Sequence, residues 1–140
     1  MHRHIASWLV LAALAFAAPG CGGGTWSYPV VGTRRDPGAE GTIQVEAIEG
    51  GNRLVTASLR HMTPPERFGG NLRTFIMWFK DRRGHSTKAS RLSYDPDSRT
   101  ARATATTPMT RFVLLVTAER NANVAEPSEH IVFQRQVSAQ

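Results

Sequence analysis

Short segments in which apolar and polar residues alternate recur from Trp26 onward, separated by Gly, Pro, Asn and Asp. A period of two places successive side chains on opposite faces of a strand, and closely spaced turn residues are typical of sandwiches and barrels. The pattern predicts an all-β antiparallel fold of about seven or eight strands with no amphipathic helix. The predicted strands span 26–31, 42–48, 53–62, 74–80, 86–94, 99–106, 110–117 and 130–137.

Two segments are the most apolar, and they indicate where the core lies. The segment 75–79 reads Phe-Ile-Met-Trp-Phe, which is apolar on both faces and predicts a central strand covered on both sides. The segment 112–116 predicts a second core strand. We expect Trp78 and Phe112 to pack together between the sheets and to replace an inter-sheet disulfide, since Cys21 is the only cysteine. On the strands 42–48 and 53–62, the residues predicted to face the core are Ile43, Val45, Ala47, Val55, Ala57 and Leu59.

The first 21 residues read as an export signal. A basic start at 2–4 precedes an apolar run at 5–18, which is too short for a permanent span of about 20 residues. The small residues before Cys21 resemble the lipobox of bacterial lipoproteins, although Ala18 stands where leucine is usual. The resemblance implies cleavage before Cys21 and acylation of its thiol. The alternative is an ordinary secretory signal cleaved nearby, which leaves Cys21 as a free thiol.

The signal sets the predicted domain organisation and location. We expect a signal peptide at 1–20, an acylated cysteine with a Gly-rich tether at 21–25, and one β-sandwich domain at 26–140. The mature chain of about 120 residues is enough for one domain. Lipoproteins carry two or three acyl chains, so the resemblance implies stable attachment to the bilayer through Cys21. Gly22 is not the aspartate that retains lipoproteins at the inner membrane, which favours the outer membrane.

A second resemblance covers about half of the chain. It rests on Leu-x-x-x-x-Pro-Pro at 59–65, an apolar strand ending in Trp at 75–78, a hairpin at Gly84, and Phe-x-x-x-Val-Thr-Ala-Glu at 112–119 before a Pro-Ser turn. These elements resemble small extracytoplasmic domains of bacterial lipoproteins of unassigned function and of transmembrane anti-sigma factors. The resemblance implies an immunoglobulin-like β-sandwich. It departs at Arg91, where the family usually has glycine, and the sigma-binding helices and internal membrane span of anti-sigma factors have no counterpart in the sequence.

Charge points to the class of partner. The formal net charge is +6, and Lys80 and Lys88 are the only lysines, so nearly all of the positive charge is arginine. Arginine suits bidentate contact with phosphate or carboxylate. Outside the cytoplasm, such anions belong to lipid headgroups, lipopolysaccharide or acidic wall polymers rather than to nucleic acid. The alternative interpretation is that the arginines are simply solvated on strand faces.

Two surfaces are candidate binding sites. One contains Trp26 and Tyr28, whose rings suit the membrane interface close to the anchor, although an edge strand packed on the sandwich explains them equally well. The other is the basic hairpin at 80–85 with Arg82 and Arg83, for which the alternative is a solvated turn that protects a sheet edge.

No catalytic, cofactor or metal motif stands out. His61, His85 and His130 are far apart in sequence, and no nucleophile signature surrounds the serines after His85. Asp95 and Asp97 flank a proline, which favours a turn with side-chain-to-backbone bonds over a calcium site. For Glu119 we expect a structural role in binding Arg120 or turn amides. We therefore predict no enzyme activity, no cofactor and no metal.

The predicted function is that of a membrane-anchored envelope lipoprotein with a non-catalytic binding or structural domain. Its partners would be the lipid bilayer and an envelope protein or an anionic envelope polymer. The alternative is a regulatory or sensory accessory similar to the outer domain of an anti-sigma factor.

Overall fold

The computed structural model describes residues 23–140, which form nine strands and no α-helix. The predicted export signal and Cys21 lie outside the described residues. Two short 3₁₀ turns cover Glu49–Gly51 and Pro65–Arg67. The strands are β1 (Thr25–Val31), β2 (Glu40–Ala47), β3 (Arg53–Arg60), β4 (Thr74–Lys80), β5 (Ser86–Arg91), β6 (Ser93–Asp95), β7 (Thr100–Thr107), β8 (Arg111–Glu119) and β9 (Ile131–Ser138). The prediction of an all-β fold is confirmed.

The strands form two antiparallel sheets that face each other. The first sheet has the order β1-β2-β3-β7-β6, and the second has the order β5-β4-β8-β9. Within them, β2-β3-β7-β6 and β4-β8-β9 have the two strand orders of a constant-type immunoglobulin sandwich. The strands β1 and β5 extend this arrangement at one edge of each sheet. The fold is therefore an immunoglobulin-like β-sandwich with one added strand per sheet.

The predicted strand 86–94 is two strands that belong to different sheets. Strand β5 pairs with β4 in the second sheet, whereas β6 pairs with β7 in the first. The chain changes sheets at Leu92, which is buried and donates its backbone N–H to the Phe75 carbonyl at 2.9 Å. This crossing raises the strand count to nine, and alternation alone did not reveal it because the residues on both sides keep an extended backbone.

The core between the sheets combines aliphatic residues of the first sheet with aromatic and aliphatic residues of the second. The first sheet contributes Ile43, Val45, Val55, Ala57, Leu59, Ala101 and Ala103, and the second contributes Phe75, Met77, Phe79, Phe112, Leu114 and Val116. The Phe79 and Phe112 rings lie 4.8 Å apart between centroids. The inward positions predicted for β2 and β3 are confirmed, except that Ala47 is only partly buried at the end of β2.

The expectation that Trp78 packs with Phe112 between the sheets is wrong. Trp78 is fully buried, but it lies on the outer face of the second sheet in a separate cluster with Ile76 and Leu115. The loop after β8 covers this cluster through Ala122 and Val124. Strand β4 is therefore covered on both sides, as predicted, but its outer cover is a loop and its inner face uses Phe75, Met77 and Phe79.

A buried chain of hydrogen bonds fastens this covering loop to the sheet. The Trp78 indole N–H donates to Thr117 Oγ1 at 2.9 Å, and the Thr117 hydroxyl donates to Glu119 Oε1 at 2.6 Å. The same carboxylate oxygen accepts the backbone N–H of Ser128 at 2.7 Å. The structural role expected for Glu119 is confirmed, with a turn amide as its partner. Because Thr117 and Glu119 are buried, each bond replaces one to water.

We predict that Trp78→Ala destabilises the domain by about 3–5 kcal/mol, because a large ring leaves a fully buried site. Trp78→Phe keeps most of the volume and loses only the N–H donor, so we expect a loss of about 1–2 kcal/mol. Urea denaturation of both variants measures these values. A Trp78→Ala variant with the wild-type midpoint would show that the outer cluster is not part of the cooperative core.

We predict that Glu119→Ala releases the loop at 120–130, because it removes the acceptor of both the Thr117 hydroxyl and the Ser128 amide. The expected loss of stability is about 1–3 kcal/mol. Glu119→Gln is the matched control, since the amide keeps the oxygen that accepts both bonds. Hydrogen–deuterium exchange across residues 120–130 should rise in the alanine variant and stay near wild type in the glutamine variant. Equal exchange in all three proteins would contradict the fastening role.

Candidate functional site

The strand directions define two ends of the sandwich, and the chain enters the first sheet at one of them. Thr25 at the start of β1 lies opposite Glu46, near the turn between β2 and β3. In the second sheet, the β4–β5 hairpin lies at the same end as Arg111 at the start of β8. We call this the proximal end, formed by residues 23–26, 46–53, 80–85, 107–111 and 138–140, and the opposite one the distal end.

The first residues that the structure describes are held directly against this end. The Gly24 carbonyl accepts the backbone N–H of Ala47 at 2.8 Å. Strand β1 then begins at Thr25, within the stretch predicted to be a tether. The described part of this predicted tether, residues 23–25, is therefore attached to the sandwich rather than extended away from it.

The backbone of the basic hairpin is held by hydrogen bonds, whereas its two arginine side chains are free of them within the described residues. Asp81 Oδ1 accepts the backbone N–H groups of Arg83 at 2.9 Å and His85 at 3.0 Å. Gly84 adopts a φ of 86°, which glycine reaches without steric cost. The side chains of Arg82 and Arg83 are exposed and have no hydrogen bond or ion pair to any described residue. The fold thus presents two free guanidinium groups on a fixed turn.

The hairpin is part of a larger basic surface. Arg82, Arg83 and Arg111 line one shallow depression, and Lys80, Arg82 and Arg111 line the adjoining one. Arg53 joins this surface from the first sheet, because its Nε donates to the Ala139 carbonyl at 3.1 Å, close to Arg111. Sequence reasoning included Lys80 in the basic hairpin but missed Arg53 and Arg111 as site residues, because these two lie at the starts of two other strands. An alternation pattern indicates where strands begin and end, but it does not show which strand termini lie at the same end of the sandwich.

The aromatic pair lies on an edge strand and packs against the core. Trp26 and Tyr28 point inward from β1 and are half-buried. The Arg53 guanidinium lies 5.8 Å from the centre of the Trp26 ring, and Arg135 lies 5.6 Å from the Tyr28 ring. The Tyr28 hydroxyl donates to the carbonyl of Ser138 and accepts its N–H at 3.2 Å. Trp26 thus belongs to the proximal end, whereas Tyr28 closes the edge between the two sheets.

The excess positive charge is unevenly distributed. The proximal end carries five basic residues (Arg53, Lys80, Arg82, Arg83 and Arg111) and three acidic ones (Glu46, Glu49 and Asp81). The distal loops and strand ends balance eight arginines (34, 35, 60, 67, 73, 91, 99 and 120) with eight acidic residues (36, 40, 66, 95, 97, 119, 126 and 129). Lys88, Arg102 and Arg135 lie between the ends. The proximal end therefore has an excess of basic over acidic residues, whereas the distal end has equal numbers of both.

Polar groups at the distal end are engaged in holding loops. Buried Asp36 accepts the backbone N–H and the hydroxyl of Thr63, both at 2.9 Å. The Met62 carbonyl accepts Arg99 Nε at 2.9 Å and the Tyr94 hydroxyl at 3.1 Å. Burial raises the pKa of the Tyr94 phenol, which keeps it a donor. These contacts give the distal end a structural role.

The remaining candidates of the sequence analysis stay apart in space. The Ser98 hydroxyl and the Asp97 backbone N–H donate to Asp95 and lower its pKa, so the predicted turn is confirmed. His61 lies near Glu40 at the distal end, whereas His85 lies on the proximal hairpin and His130 beside Arg35. Residues 23–140 contain no group of three or more His, Cys, Asp or Glu side chains placed to hold a metal.

A shallow groove of about 730 Å³ crosses the first sheet toward the distal end. Its rim includes Pro29, Ser58 and Arg102, and an exposed ion pair between Arg60 and Glu40 at 2.9 Å. Exposed ion pairs of this kind contribute little free energy.

Comparisons with known proteins give no family. No protein-family model, curated protein or solved structure matches this chain. Among the described residues, no helix is long and apolar enough to cross a membrane.

We predict that Tyr28→Phe destabilises the domain by about 1–2 kcal/mol, because the Ser138 N–H and carbonyl both lose a partner at the edge between the sheets. The matched control is Ser27→Ala on the exposed face of the same strand, which should leave stability unchanged. Thermal unfolding followed by circular dichroism measures both. Equal melting temperatures for Tyr28→Phe and wild type would contradict the role of this hydroxyl.

Proposed function

We propose that this chain is a lipoprotein of the bacterial envelope that holds one immunoglobulin-like sandwich at the bilayer surface as a non-catalytic binding or structural module. The observation that carries the proposal is the position of the first strand. Strand β1 begins at Thr25, four residues after the cysteine of the lipobox-like segment, and Gly24 is already bonded to Ala47. A lipid on Cys21 would therefore attach almost directly to the domain.

The short connection limits what the domain reaches. Only Gly22 lies between Cys21 and Gly23, and two residue steps span at most about 7 Å. Long flexible tethers let a domain search a large volume, whereas this one would confine the sandwich to the headgroup region and its immediate surroundings. The partners that fit this confinement are the membrane itself and proteins embedded in it or attached to it.

The chemistry of the described side chains favours binding over catalysis. The acidic groups with well-defined environments, Asp36, Asp81, Asp95 and Glu119, each accept hydrogen bonds from backbone amides or hydroxyls that hold a turn or loop. Carboxylates occupied in this way are structural. By contrast, the exposed arginines of the proximal hairpin are available to an anionic partner.

We predict that the full chain, expressed in a bacterial host, incorporates a palmitate analogue and fractionates with membranes. Cys21→Ser should abolish the label, because the acylated thiol is absent. Metabolic labelling with an alkyne fatty acid, followed by gel fluorescence of membrane and soluble fractions, measures both. An unlabelled wild-type protein in the soluble extracytoplasmic fraction would overturn the proposal and support an ordinary secretory signal.

The binding role is tested by cross-linking in intact cells followed by mass spectrometry. A protein that cross-links to the wild-type chain in stoichiometric amount, and not to the Cys21→Ser variant, supports a module that acts at the membrane. Identical partners for both proteins would contradict the need for an anchor.

A further inference from the structure

We infer that the proximal end of the sandwich is a docking surface for the anionic phospholipid headgroups of the bilayer that holds the anchor. The inference deepens the proposed function and rests on it for the anchor at Cys21. It adds an orientation: the domain stands with the β4–β5 hairpin and the β2–β3 turn against the membrane, and the distal end faces away.

The first step is the path of the chain. Gly23 and Gly24 lie beside Ala47, at the proximal end, because the antiparallel pairing of β1 with β2 places Thr25 opposite Glu46. An anchor two residues before Gly23 holds the proximal end, and not the distal end, close to the bilayer. The surface that meets the headgroups is therefore determined by strand direction.

The second step is the charge that this end carries. Its five basic residues outnumber its three acidic ones, and Asp81 is already engaged by the backbone of its own turn. Arg82 and Arg83 project from that turn without partners among the described residues, and Arg111 lies beside them. Guanidinium groups bind phosphate oxygens in a bidentate way, and basic clusters next to an anchor are attracted to anionic leaflets.

The third step is an apolar tip within the same surface. Ile48 is 40% exposed in the turn after β2, directly after the residue that bonds Gly24. Trp26 lies half-buried at the same end of the sandwich, with the Arg53 guanidinium 5.8 Å from the centre of its ring. An exposed aliphatic side chain and an indole beside a guanidinium match the boundary between headgroups and acyl chains, where aromatic and basic residues are favoured.

The test uses the full lipidated chain purified from membranes and reconstituted into vesicles of phosphatidylcholine, alone or mixed with phosphatidylglycerol. One variant, His85→Cys, accepts a donor dye on the proximal hairpin, and another, Asp97→Cys, accepts it on the distal turn. Acylated Cys21 does not react with the dye. Energy transfer to a headgroup-labelled lipid reports how close each position is to the bilayer.

We expect more transfer from position 85 than from position 97, an increase at position 85 when phosphatidylglycerol is added, and a decrease at high salt. Arg82→Gln with Arg83→Gln should weaken docking about fivefold for each arginine removed, because each basic residue near an anionic surface contributes roughly that factor. The matched control is Arg34→Gln with Arg67→Gln, which removes two exposed distal arginines and should change nothing.

Two results separate the failure of this inference from the failure of the proposed function. Equal transfer from both positions in anchored protein, or transfer that is insensitive to phosphatidylglycerol and salt, would overturn the docking surface and leave the anchor intact. A chain that carries no acyl group and does not enter the vesicles would contradict the proposed anchor at Cys21. The proposed orientation would then be contradicted as well, because it depends on that anchor.

Discussion

Burial of β4 on both faces is the constraint on which the rest of the structure depends. Every residue from Thr74 to Phe79 is buried, so the strand needs one cover on each side. The first sheet supplies the inner cover and the loop at 120–130 supplies the outer one. Ala122 and Val124 attach that loop by apolar contact, although most of its residues are polar. The buried carboxylate of Glu119 provides a second attachment through Ser128.

The antiparallel pairing around β4 also decides what meets at each end of the sandwich. The hairpin that leaves β4, the start of β8 and the start of β1 lie at the same end of the sandwich although they are far apart in sequence. A protein anchored before β1 therefore presents the β4–β5 hairpin and Arg111 to the same side as its anchor. Through this topology, basic residues from three separate stretches of the chain reach the proximal end, where they outnumber the acidic ones.

Much of the fold could be predicted from the sequence, because alternation and turn residues are local signals. Strand β4 was predicted with its observed bounds, and the turn at Asp95 was predicted from its proline and carboxylates. The crossing at Leu92 and the outward face of Trp78 could not be predicted in this way. Both depend on which sheet or loop lies opposite a residue, and a strand with apolar residues on both faces gives no preference between them.

The same distinction applies to the site. The sequence predicts the basic turn with Lys80, Arg82 and Arg83, whereas the contribution of Arg53 and Arg111 depends on the arrangement of the strand ends. The two ends then differ in how their polar groups are used. Distal groups such as Asp36 and Tyr94 are bonded to the loops that they hold. Arginine side chains on the proximal hairpin hold nothing in the described structure, although the hairpin backbone is fixed by Asp81. A rigid turn with free guanidinium groups is suited to an external anion, since binding then costs little ordering of the backbone.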